Sequence, residues 1–238
     1  MPAKHQRIFC VVITILLSAC SQLNLQAGAG AEGMANGLIR IDNSVLSETY
    51  VRPGMNLQNY PSIQIIFLGI DFRQVELNPN EGYLSLGRNE YPLTEAQKQK
   101  LQTMVADTFA EEFAAGKYFS VVAEPGPGVL LVRSGLTDVV SFVPPQRAGR
   151  DAVFLAELGQ GTLVLEVDDS VTGQPLVSAV DRRRVETSRE VMRYSNPVTN
   201  SQEVRRVVRQ WARQLVAGLD ELYEAGQIVE AGEGPLSN

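Results

Sequence analysis

Histidine and cysteine are almost missing from this chain. His5 is the only imidazole, Cys10 and Cys20 are the only thiols, and all three lie within the first twenty residues. The chain beyond residue 20 therefore has no side chain for Ser-His-Asp or Cys-His catalysis, for a zinc site built on His or Cys, for haem held by either, or for an iron-sulfur cluster. No cofactor or metal is expected. Disulfides are excluded as well, so a domain built from the later residues must hold together by packing. A surplus of positive charge is also missing. The 238 residues carry 21 basic against 27 acidic side chains, a net charge of −6, which argues against a nucleic-acid partner. Long apolar runs are scarce too: Ile8 to Leu17 spans about half of the ~20 residues that a membrane-crossing helix needs.

That short run has a layout of its own. Lys4, His5 and Arg7 precede it, and Leu17-Ser18-Ala19-Cys20 closes it. A basic start, an apolar stretch and small residues before a cut make a secretory signal. Cysteine directly after Leu-Ser-Ala resembles the lipobox of bacterial lipoproteins. The resemblance implies a diacylglyceryl group on the Cys20 sulfur, cleavage of residues 1–19, and acylation of the new amino terminus with a fatty acid such as palmitate. An ordinary signal peptide with a chance cysteine is the alternative. The mature chain would carry 19 basic and 27 acidic residues, net −8. Residues 20–37, small and polar, read as a flexible lipidated tether with a reach of about 5–6 Å times the square root of its length. Ser21, where an aspartate would resemble the inner-membrane retention signal, points by that resemblance to the outer membrane.

Residues 38–226 are long enough for one domain with a real core. From Leu38 to Tyr60 the pattern is weak and reads as extended chain, with turns at Asp42-Asn43 and Pro53-Gly54. Ser62 to Leu77 reads as a long strand bulged near Gly69. Thr94-Glu95-Ala96-Gln97 is a capping-box pattern leading into Leu101, Met104, Val105, Thr108, Phe109 and Phe113, one face of a helix that Gly116 stops. Tyr118 to Ala123 and Val129 to Phe142 are strands, and a short helical turn is expected over Ala152 to Leu158. Thr162 to Asp168 and Pro175 to Thr187 make a hairpin around Asp169-Ser170-Val171-Thr172-Gly173. A final helix starts near Ser201, carries Val204, Val208, Trp211, Leu215, Leu219 and Leu222, and ends at Gly226. Residues 227–238 read as a loose tail. The pattern predicts an α+β fold: a single antiparallel or mixed sheet of about five strands with two amphipathic helices on one face.

Lys117-Tyr118-Phe119-Ser120-Val121-Val122, Pro125-Gly126-Pro127-Gly128-Val129-Leu130-Leu131-Val132-Arg133, Leu136-Thr137-Asp138 and Asp169-Ser170-Val171-Thr172-Gly173-Gln174-Pro175-Leu176 come after the lipobox in this order. Together they resemble the Gram-negative lipoproteins grouped as domain of unknown function 3313, over roughly residues 45 to 225. The resemblance implies a fold and an address and assigns no activity or site.

Three groups of residues are candidates for function. On a strand Glu166 and Asp168 project to one face, as an acid and base pair for glycoside cleavage would. The plainer reading makes Asp168-Asp169-Ser170 the opening of a turn whose Gly173 supplies positive φ. Gly126-Pro127-Gly128 and Gly159-Gln160-Gly161-Thr162 lack the lysine of a P-loop and the spacing of a dinucleotide fingerprint, and both read as turns. The third group is a charge cluster. Nine arginines lie between Arg182 and Arg213 against Glu186, Glu190 and Glu203, so this window carries +6 and the rest of the mature chain −14. Arg205, Arg209 and Arg213 form an i, i+4, i+8 row on the last helix, where cations near a helix start oppose its dipole. With Arg182 and Arg184 they form a candidate face for an anionic envelope component or an acidic protein, because arginine forks pair with carboxylates and phosphates. The alternative is that carboxylates of the same domain, or water, neutralise them. Trp211 reads as core. The expectation is an outer-membrane lipoprotein whose periplasmic domain is a non-catalytic binding or assembly module; the alternative is a carboxylate-dependent envelope hydrolase, such as a peptidoglycan-cleaving enzyme.

Overall fold

A computed structural model describes residues 36–41, 44–76, 90–145, 154–187, 193–194 and 196–228. The signal sequence, Cys20, the tether up to residue 35, the Asp42-Asn43 turn, the Asn78 to Gly82 segment and residues 229–238 lie outside them. Seven strands form one open sheet: β1 (Ile39–Arg40), β2 (Glu48–Val51), β8 (Pro175–Glu186), β7 (Glu157–Asp169), β5 (Val129–Ser141), β3 (Ser62–Phe72) and β4 (Ser120–Val121), in that spatial order. Two short strands, β6 (Phe154–Leu155) and β9 (Arg193–Tyr194), pair separately. The class is α+β as the pattern predicts, with seven strands in the main sheet rather than about five. The two additional edge strands come from the stretch before Tyr60, too short and too polar to show a period.

β3 runs parallel to both β5 and β4, and the other pairings in the main sheet are antiparallel. Parallel neighbours need a crossover, and helix α1 (Glu95–Ala114) supplies it. The Thr94 hydroxyl accepts from the Gln97 N–H, and the Gln97 side chain reaches back to the Thr94 N–H at 2.8 Å, so the capping box forms as its spacing predicts. Helix α2 (Pro197–Ala225) starts four residues before the expected Ser201. Asn196 caps it, accepting from the Val198 and Thr199 N–H groups at 3.0 Å, and Pro197 stands at the first helical position, where its missing N–H costs nothing.

The core lies between the sheet and both helices. Leu130, Val132 and Leu136 of β5, Leu163, Leu165 and Val167 of β7, and Val177 and Ala179 of β8 are buried with Val105, Phe109 and Phe113 of α1 and Val208, Trp211, Leu215 and Leu219 of α2. Each of the larger apolar side chains contributes roughly 2 kcal/mol by leaving water. The first two tail residues belong to this body: Ile228 exchanges backbone hydrogen bonds with Met55 and Gly54 and packs on the core, so Gln227 and Ile228 are not loose.

Two expectations fail around β7. Gly159-Gln160-Gly161-Thr162 is the interior of that strand rather than a turn, and the described part of Ala152 to Leu158 is strand rather than helical turn. β5 is irregular between Thr137 and Val140, where Asp138 takes φ +55, and its backbone presses against β7. A Cβ on Gly159 would stand 2.4 Å from the Val140 carbonyl oxygen, and one on Gly161 3.0 Å from a Val139 methyl. The glycines mark a close approach of two strands. Arg73, just past β3, secures the bulge with two bonds to Asp138 at 2.7 and 2.6 Å and a further pair to Glu90. The predicted bulge near Gly69 is present, as register shifts between Phe67 and Phe72. The predicted hairpin is present too, with Gly173 at φ +67.

Candidate functional site

Burial of one face of α2 dictates what the other presents. With Val207, Val208, Trp211, Ala212, Leu215 and Leu219 turned inward, an open groove of about 700 Å³ runs along the outer side, lined by Gln202, Arg205, Arg209, Gln210, Arg213 and Ala217 among others. The lining is almost wholly hydrogen-bond donors and carries no carboxylate. Because α2 starts at Pro197, Arg205 stands in the third turn, beyond the first-turn reach of the helix dipole. The dipole cost read from a start near Ser201 therefore falls away.

The sequence-predicted face divides in two. Arg205, Arg209 and Arg213 are together on α2, but Arg182 and Arg184 stand on the opposite side of the sheet. Arg183 between them faces α2, bonding Gln214 and lying 5.8 Å from the centre of the Trp211 ring, and side chains alternate along a strand. Most of the charge is met inside the domain. Arg209 reaches Glu111 at 3.4 Å and Glu112 at 3.0 Å, and Arg213 reaches Glu112 at 3.0 Å. Arg184 pairs with Glu157 at 3.1 Å, and Arg182 lies 3.6 Å from Asp138. With its amide oxygen turned toward the guanidiniums, Gln160 accepts from Arg73 and Arg182 at 2.7 and 2.8 Å. Arg206 is held by Glu203 at 2.8 Å. Arg205 has no partner among the described residues.

The opposite charge sits on the same helix face one stretch later, at Asp220, Glu221 and Glu224. Glu224 accepts from Tyr118 at 2.5 Å and from Lys117 at 3.0 Å, and those hydrogen bonds hold its carboxyl below the usual range. Asp220 has one oxygen buried without a partner, and burial pushes its pKa up. Glu221 is exposed, with no partner among the described residues.

The carboxylates considered for hydrolysis lie elsewhere. Glu166 and Asp168 share one nitrogen of Arg133, at 2.9 and 2.5 Å. Burial, aided by the charge of Glu166, pushes the Asp168 carboxyl up despite Arg133. Asp169 works as the hairpin turn. It accepts from the Thr172 and Val171 N–H groups at 2.8 and 3.0 Å, from the Thr172 hydroxyl at 3.0 Å and from the Tyr60 hydroxyl at 2.9 Å. The Thr172 N–H bond leads in holding its pKa down, while burial and Asp169 push Tyr60 up to about 12.

One polar cluster has no counterpart in the sequence reading. Trp211 is buried, and its indole N–H donates to Asp181 at 2.7 Å. Asp181 also accepts from the Ser47 N–H and hydroxyl at 3.2 and 2.5 Å and from Arg183 at 2.6 Å. The signal was available: Asp181 follows Val177 and Ala179 at inward-facing parity. Among the described residues no group of three His, Cys, Asp or Glu is placed to hold a metal, and no helix is long and apolar enough to cross a membrane.

Several solved structures are similar to this chain. A protein from Xanthomonas campestris matches at 12% identity with a TM-score of 0.45, over 74% of this chain and 94% of the other. A PelC dodecamer from Paraburkholderia phytofirmans matches at 12% identity and 0.34, over 72% and 95%. A homolog of neuraminyllactose-binding hemagglutinin from Helicobacter pylori matches at 10% and 0.34, over 70% and 90%. A comparison with curated proteins finds no match. The family model described as Protein of unknown function (DUF3313) matches residues 42–215, and the chain belongs to that family.

Proposed function

We propose that the protein is a lipid-anchored module of the outer membrane, held by Cys20 and facing the periplasm, that binds or assembles without catalysis through the outer face of α2. The observation that carries this reading is Arg205. It is exposed, without a partner among the described residues, and flanked on one helix face by side chains that donate hydrogen bonds. A guanidinium with no carboxylate partner among the described residues is available to one outside them. The anchor confines the domain to a surface, where local concentration compensates for modest affinity.

Replacing Arg205 with glutamine should leave the fold intact and weaken retention on anionic vesicles, on isolated sacculi, or on an acidic protein partner by about fivefold. Replacing Arg205, Arg209 and Arg213 together should weaken it further. Equal retention of the triple variant on all three would end the proposal. The competing hydrolase reading draws on Asp168, whose raised pKa suits an acid. Glycan cleavage by the wild type that Asp168→Asn abolishes would favour it.

A further inference from the structure

The α2 surface has a property that a row of arginines alone would lack. Its outer face is basic in the first half and acidic in the second, with Ala217 between Arg213 and Glu221, four residues from each. Glu221 and Glu224 occupy the end of the helix, where the dipole disfavours carboxylates, and no basic residue stands in the last turn. Lys117 compensates Glu224, whereas among the described residues Glu221 stays exposed without a partner at one end as Arg205 does at the other. Ala217 is exposed and ends at Cβ, which lets a second helix approach within the 8–10 Å of ordinary helix packing.

Resting on the reading of α2 as the assembly surface, we propose that the acidic partner is a second copy of this chain, packed α2 to α2 and antiparallel across a two-fold axis at Ala217. Arg213 of each copy then meets Glu221 of the other, and Gln210 stands opposite Glu224. A two-fold contact must be complementary to itself, and a face with its cations at one end and its anions at the other meets that condition only when the copies run in opposite directions. A parallel arrangement would oppose like charges at both ends.

The chain's own cysteines, Cys10 and Cys20, precede the domain, so a cysteine placed on α2 reports its own surroundings. In full-length protein in intact cells, Ala217→Cys should give a disulfide-linked dimer well above the parent chain. Arg205→Cys should not, because twelve residues of helix carry each copy about 18 Å from the axis, in opposite directions. Glu221→Arg, at an exposed position without a partner among the described residues, should reduce the Ala217→Cys dimer at least tenfold, and adding Arg213→Glu should restore it. Dimer no greater than in the parent, equal crosslinking from both positions, or crosslinking indifferent to Glu221→Arg would each overturn the inference. If Ala217→Cys is silent while the triple arginine variant still loses retention on vesicles or sacculi, the α2 surface stands and the second copy falls. If both are silent, both fall.

Discussion

Asp181 carries a charge into the interface between β8 and α2, and its neighbours make that tolerable. Burial alone would raise its pKa, but hydrogen bonds from Ser47, Trp211 and Arg183 outweigh burial and hold the carboxyl below its ordinary value. A carboxyl whose folded pKa lies below its unfolded value of about 4 contributes stability above that pH. It loses the contribution as pH falls through the lower, folded value. Asp181→Asn should therefore destabilise the domain at neutral pH by about 1–3 kcal/mol and flatten the acid limb of its stability curve. Calorimetric unfolding between pH 7 and pH 2 checks both, and an unaltered acid limb would assign the pH dependence to other carboxylates. The arginines of α2 show the same principle at the surface. Glu112 accepts from Arg209 and Arg213 at once, so those two residues hold the helices together, whereas Arg205 has no partner among the described residues.

At the scale of elements, the two helices and the central hairpin owe their ends to local chemistry, and the irregular strands owe theirs to neighbours. Thr94 and Asn196 start helices because a side-chain oxygen satisfies N–H groups that the first turn leaves free. Gly173 closes the β7–β8 hairpin with a positive φ and open space around it. Gly159 answers instead to the Val140 carbonyl across the β5 bulge. The two glycines should respond differently to alanine. Gly159→Ala forces strands apart in a packed sheet and should cost about 1–3 kcal/mol or more, whereas Gly173→Ala meets nothing and should cost about 1 kcal/mol of backbone strain. Chemical denaturation of the two variants measures the difference, and the reverse order would remove the close-approach account of Gly159.

For the whole molecule, the net charge of −6 conceals an arrangement in which arginines from the 182–213 window meet carboxylates of other elements: Glu111 and Glu112 on α1, Glu157 on β7 and Asp138 on β5. Within α2 itself Arg205, Arg206, Arg209 and Arg213 are balanced by Glu203, Asp220, Glu221 and Glu224, so on the proposed reading the Cys20 anchor supplies much of the attachment to the envelope. Cys20→Ser should move the protein from the membrane fraction to the soluble periplasmic fraction and abolish incorporation of labelled palmitate. Wild-type protein recovered free of membranes and without label would remove the anchor from the account.

The sequence by itself determined the elements whose cause lies within a few residues of them: the capping box at Thr94, the apolar stripes of both helices, the turn at Asp169 to Gly173, and the α+β class that results from burying those stripes on a sheet. It also showed the arginine row, since i, i+4 spacing places side chains on one helix face in any fold. Only the tertiary structure decided which charges remain free. Arg209 and Arg213 find Glu112 about a hundred residues away, Asp181 finds Trp211 thirty residues on, and Gly159 finds Val140 on the neighbouring strand. Chain separation carries no record of such meetings. Coulomb energy and steric exclusion depend on distance in space, and packing of the helices against the sheet is what sets it.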